Sequence, residues 1–163
     1  MQTPTLSDTA AAPRPASAAL RERLLRLAAR YDGLAPLLLR LVFGYFWLET
    51  GWAKLHNLDG FAARFANWGI PLPELSAAVS ACTEFAGGLL IMLGLATRLT
   101  MLPMIFNMLV ALVVVVLPGI STLDEFVELD EVLYVLVFFW LLMAGPGRVS
   151  VDAWLASRPR PAR

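Results

Sequence analysis

Residues 75–117 read LSAAVSACTEFAGGLLIMLGLATRLTMLPMIFNMLVALVVVVL. Two apolar blocks, 75–96 and 99–117, meet at Thr97-Arg98 with almost nothing between them. At ~1.5 Å per residue each block is about long enough to cross a ~30 Å hydrocarbon core as an α-helix. The first carries Glu84 near its middle with Gly87-Gly88 beside it. The second has no formal charge, holds Pro103 in its first turns and Asn107 further in, and stops at Pro118-Gly119.

Upstream, residues 34–52 (LAPLLLRLVFGYFWLETGW) form a further block of crossing length that contains Arg40 and Glu49. Residues 53–73 read as a loop, with Trp68-Gly69-Ile70-Pro71 marking a turn before the next helix. Downstream, Asp124, Glu125, Glu128, Asp130 and Glu131 make an acidic, cation-free stretch. The block that follows, 132–144, is too short to cross alone. Counting 126–129 as its first turn brings it to crossing length, and Gly145-Pro146-Gly147 ends it. The expected fold is all-α: an integral membrane four-helix bundle over residues 32–155.

The ends differ from this bundle. Residues 1–16 are rich in Pro, Ala and Thr and read as a disordered tail, without the apolar stretch of a cleaved signal peptide. In residues 17–31, Leu20, Leu24, Leu27, Ala28 and Tyr31 share one helical face while Arg23, Arg26 and Arg30 fall largely elsewhere. This is the pattern of a basic amphipathic helix lying at the membrane interface. The alternative is a solvated helix that extends the first span. Residues 156–163 form a short basic tail.

Of the 163 residues 58% are hydrophobic and only 16% charged, against about a quarter in soluble domains, and mean hydropathy is +0.67. Thirteen cations balance thirteen anions, but twelve of the cations are arginine and they crowd the two ends. With Arg98 in the short second connection and no cation in the third, the positive-inside rule places both termini in the cytoplasm of a four-span protein. No basic stripe with interleaved aromatics suggests nucleic acid. Cys82 and His56 stand alone in their kinds, which excludes an intrachain disulfide, a CxxC redox pair, bis-His haem within the chain and a His/Cys zinc site. Cys82 reads as a small core residue and His56 as a surface residue near the outer boundary.

The pattern from about Leu37 to Trp154 resembles the DoxX family of small bacterial four-helix membrane proteins. The residues that carry the likeness are Arg40, Gly44, Gly51 and Lys54, then Gly69-Ile70-Pro71. Glu84, Gly87-Gly88, Gly94 and Thr97-Arg98 follow, and Glu131 with Gly145-Pro146-Gly147-Arg148 and Ser150-Val151-Asp152 close it. The third span matches in hydrophobicity alone. The resemblance implies an inner-membrane protein, and the family takes its name from a subunit linked to a terminal quinol oxidase and thiosulfate:quinone oxidoreduction. A quinone and a membrane or soluble oxidoreductase subunit are therefore the implied ligand and partner; an oligomer is compatible with the sequence.

Ionisable groups inside a bilayer cost on the order of 2.5–3.5 kcal/mol each, so they face the bundle interior and pair. Rise per residue puts Arg40 about 9 Å from the cytoplasmic end of its span, Asn107 about 12 Å, Tyr134 about 15 Å and Glu84 about 16 Å. Glu49 and Glu131 both fall about 20 Å up, with Lys54 higher still. A central layer (Arg40, Glu84, Asn107, Tyr134) and an outer layer (Glu49, Lys54, Glu131) result, with an Arg40–Glu84 pair expected in the first. These seven residues are the candidate polar site, without a metal. Two function classes remain open. One is a partner in quinone-linked redox chemistry; the other is a small proton-coupled exporter. A third reading makes the charges interhelical struts in a membrane scaffold.

Overall fold

The computed structural model describes residues 16–158, and among them every regular element is helical. The chain divides into two compact units, one ending at Asp32 and one beginning at Gly33. The tail expected over 1–16 lies outside the described residues apart from Ala16, and 159–163 lie outside them too.

The first unit contributes α1, Ala16–Arg30. It stops at Arg30, and the next helix starts at Leu34. Leu20, Leu24, Leu27 and Tyr31 are exposed. An Arg26–Glu22 contact of 3.4 Å joins successive turns at the surface.

The second unit begins with α2, Leu34–His56. Asn57 follows as a one-residue hinge whose side chain accepts from the Gly60 N–H, capping α3, Leu58–Asn67. This corrects the loop expected over 53–73. Phe61, Ala62 and Phe65 repeat at helical spacing and bury a stripe against Ala77 and Ala81, which stabilises the helix through packing. Gly69, at φ +70°, closes α3: its N–H bonds Ala66 O, and the Ile70 N–H reaches back to Phe65 O.

Helix α4 spans Pro73–Leu93, with Pro73 in its first turn and Gly94 (φ +63°) at its end. Helix α5, Thr97–Val110, continues through a π-helical stretch, Ala111–Val116, and a 3₁₀ turn, Leu117–Gly119. Pro103 inside α5 removes the N–H that would bond Leu99 O. Among the described residues two stretches are long and apolar enough to cross a membrane: Pro73–Leu93 and Thr97–Gly119.

Next come α6, Leu123–Val127, with a Thr122/Glu125 capping box, and α7, Asp130–Ala144. Leu129 is extended between them (φ −69°, ψ 130°), so residues 126–129 are not the first turn of α7. The capping box starts one helix, and Asp130 and Glu131 open another, as acidic residues favour at a helix N-terminus. At 15 residues α7 is about 22 Å long. Helix α8, Val151–Ala156, follows a Ser150 cap.

α2, α4, α5 and α7 share a core of Trp47, Ile91, Met101, Met104, Met108, Phe138 and Leu141. The closest pair is α2 with α4, because glycines remove the side chains between them. A Cβ on Gly88 would lie 2.7 Å from Gly44 O, and one on Gly51 would lie 2.7 Å from Phe85 Cα. Backbones meet there directly, the packing that small residues permit between apolar helices.

Candidate functional site

The glycine contacts fix the vertical register of α2 against α4. Gly44 lies level with the turn between Gly88 and Met92, and Gly51 lies against Glu84 and Phe85. Glu84 is therefore one turn from Lys54 but eleven residues, about 16 Å, from Arg40. This register decides which charges meet.

Glu84 is 2% exposed and its carboxylate is held by Lys54, whose Nζ lies 2.6 Å from Oε1 and 2.5 Å from Oε2. Asn107 Nδ2 donates to Oε1 at 3.1 Å. Three helices, α2, α4 and α5, thus each send one polar side chain to the same point. The Lys54 side chain keeps 22% of its surface, and its Nζ stands 4.9 Å from the centre of the Phe61 ring, with the Arg64 guanidinium 5.1 Å from the same ring.

Lys54 also lines a recess of about 400 Å³ with Glu49, Thr50, Ala53, Asn57 and Arg64. One end of the α2–α4 pair is therefore polar, open, and backed by a buried carboxylate. A larger groove of about 550 Å³ runs between α4 and α5, and its lining, Cys82, Ala86, Leu90 and Pro103 among others, is almost wholly apolar. Cys82 is exposed there, not in the core as its sequence context suggested.

Arg40 is not the partner of Glu84. The expected pair assumed that all spans start at one height; α2 instead runs past the end of α4, so Arg40 faces the α4–α5 corner. Arg40 is 1% exposed; Nη2 donates to the Val149 carbonyl and Nε to Pro36 O at 3.4 Å, while Nη1 has no hydrogen-bond partner among the described residues. Gly94 gives it room, since a Cβ at that position would overlap Nη1. The Asp152 carboxylate accepts from the Ala96 and Thr97 N–H groups at 2.7 and 3.0 Å, and its own N–H donates to Gly94 O at 3.0 Å. Residues 147–152 thus form a strap across this end. Gly147, at φ +81°, lies against Pro36, where a Cβ would come within 2.7 Å.

The outer trio does not assemble either. Lys54 reaches down to Glu84, Glu49 is exposed on the recess, and Glu131 is half-buried in the first turn of α7. Among the described residues neither Glu49 nor Glu131 joins an ion pair. Tyr134 sits in an aromatic stack, 5.8 Å from Phe43, 5.4 Å from Phe46 and 5.3 Å from Trp47 between ring centres. It packs α7 on α2, and the hydrogen bonds to Glu84 come from Lys54 and Asn107 instead. Asn57, Phe61 and Arg64 are absent from the seven candidates because residues 53–73 read as a loop in the sequence. The Phe61/Phe65 spacing after a capping Asn was the signal. Asp152 belongs to the closing motif that carries the family likeness, and its capping of α5 emerges only in the fold.

A family model, DoxX, matches residues 35–117, from α2 through the π-helical stretch, and stops before α7. An uncharacterized membrane protein of Mycobacterium tuberculosis is 29% identical over 132 residues, covering 74% of this chain and 80% of that protein. No solved structure matches the chain. The glycine-packed α2–α4 pair and all three residues of the Lys54–Glu84–Asn107 group lie inside the matched stretch, and the chain belongs to the DoxX family of membrane proteins.

Proposed function

We propose that the chain is an inner-membrane protein of four spans that serves as an accessory subunit in quinone-linked redox chemistry, with its polar site at Lys54, Glu84 and Asn107. In this reading α2, α4, α5 with its continuation, and α7 cross the bilayer as a bundle. Both arginine-rich termini stay in the cytoplasm, with α1 at the membrane surface. At about 22 Å, α7 is short for a ~30 Å core, and α6 at the rim or local thinning takes up the difference. A cysteine placed at Thr122 is labelled by an impermeant reagent on intact cells and one at Ser157 is not; the reverse pattern defeats the topology.

The observation that carries the site is a buried carboxylate gripped by a lysine that also lines an open recess. A lysine ammonium has three N–H donors, and Glu84 engages Nζ through two oxygens. Lys54, Asn57 and Arg64 put donors around the recess, which fits the carbonyl edge of a quinone head. A bound quinone would supply two-electron, two-proton chemistry, its electrons exchanged with the partner oxidoreductase. Lys54 then orients a carbonyl oxygen, Glu84 holds or accepts the proton next to it, and Asn107 fixes the Oε1 side of the carboxylate. The test is lipid extraction and a difference spectrum of purified protein. Wild type retains quinone and Lys54→Met loses it; equal retention rules the site out.

One observation favours a second reading. The Glu84 carboxylate is fully met by side chains from two other helices, as an interhelical strut would be. A strut predicts that Glu84→Gln lowers thermal stability while quinone retention stays at the wild-type level.

A further inference from the structure

Helix α1 has an apolar stripe that stays exposed: Leu20, Leu24, Leu27 and Tyr31 are all more than half accessible, at 59, 57, 51 and 53%. At about 100° per residue these four fall within a narrow sector. Arg21 lies about 90° to one side of the stripe's centre, and Arg23 and Arg30 about 70–90° to the other. Glu22 is diametrically opposite, where it meets Arg26 at 3.4 Å. An exposed leucine stripe with arginines at both edges matches a bilayer surface. The leucines enter the acyl boundary, and the long arginine side chains reach up from its margins to headgroup oxygens.

The charge balance says which surface. Four arginines and one glutamate occupy residues 20–31, and the apolar stripe alone is only four side chains long. We propose that α1 lies in the plane of the membrane by binding anionic phospholipid, its arginine edges choosing a negatively charged leaflet over a zwitterionic one. The inference rests on the placement of α1 at the membrane surface and names the lipid chemistry that holds it there. Each arginine near an anionic leaflet contributes an attraction worth about fivefold in binding.

The test uses the full chain in nanodiscs, with Cys82→Ser and a single spin-labelled cysteine at Leu24, Leu27 or Glu22. In discs containing anionic phospholipid at low salt, the labels at Leu24 and Leu27 are reached by oxygen and shielded from an aqueous relaxation agent. The Glu22 label remains in water. In discs of zwitterionic lipid alone, or in 1 M salt, the Leu24 label becomes severalfold more accessible to the aqueous agent. Arg21→Gln with Arg23→Gln and Arg30→Gln produces the same release in anionic discs. A Leu24 label equally buried in both lipids overturns the inference, because apolar insertion alone then suffices. A label equally wet in both overturns it as well. The Thr122 and Ser157 labelling reads the four-span topology separately, so either result can fail without the other.

Discussion

The two ends of the α2–α4 pair each bury a charge, and they do so in opposite ways. At the α2 C-terminal end Glu84 meets a counter-charge, Lys54, and that lysine opens onto a recess. At the N-terminal end Arg40 meets carbonyl oxygens of Pro36 and Val149, under a strap that Asp152 fastens to the α4–α5 corner. Buried charges are tolerated when paired or hydrogen-bonded, and Arg40 keeps one buried nitrogen, Nη1, without a hydrogen-bond partner among the described residues. The difference between the two solutions is access. A guanidinium bonded to backbone carbonyls under a strap holds the fold, whereas a charge pair whose lysine lines an open recess can exchange its partner for a ligand.

The sharpest way to break this contrast is to compare two glycines that both sit at positive φ. Gly94→Ala places a strained residue against the Arg40 guanidinium, and should cost about 3 kcal/mol or more of stability. Gly69→Ala has the same backbone strain in open space and should cost only about 1 kcal/mol. Thermal unfolding in detergent reads both. Equal losses would show that the strap end is not packed as described.

Next in size is Glu84→Gln. Removing one partner of a buried pair costs about 3–5 kcal/mol; Lys54 is partly exposed and can turn towards solvent, so the lower end of that range is expected. Asp152→Asn weakens the two bonds that cap α5 and should cost about 1–2 kcal/mol, with the strap becoming accessible to protease. Smallest of all is Arg64→Gln. This exposed residue should change stability by under about 0.5 kcal/mol while lowering quinone retention. A large stability loss there would mean that the open end is a structural joint.

Much of this was legible from residues alone. The periodicity and length of residues 75–117 gave α4 and α5, and the Gly44, Gly51 and Gly87-Gly88 spacing marked the close packing. All the ionisable members of the Glu84 group were singled out as candidates. Their pairing was not legible, because it depends on vertical register. The register that sets Gly51 against Glu84 and Phe85 moves Arg40 away from Glu84 and brings Lys54 to it, and no sequence pattern carries that offset. The α6–α7 break was hidden for a related reason. Residues 123–133 are helix-compatible throughout, and only the Thr122/Glu125 box and the first-turn acids of α7 say where one helix stops and the other starts.

Two double-mutant cycles on stability in detergent test the account most directly. One combines Lys54→Met with Glu84→Gln; the other combines Arg40→Leu with Glu84→Gln. Residues in contact show coupling of about 0.5–3 kcal/mol, and residues far apart add. The structure predicts a coupling of more than about 1 kcal/mol for Lys54 with Glu84, and additivity within about 0.5 kcal/mol for Arg40 with Glu84. Additive Lys54 and Glu84 effects, or strong Arg40–Glu84 coupling, would contradict the register on which the site is built.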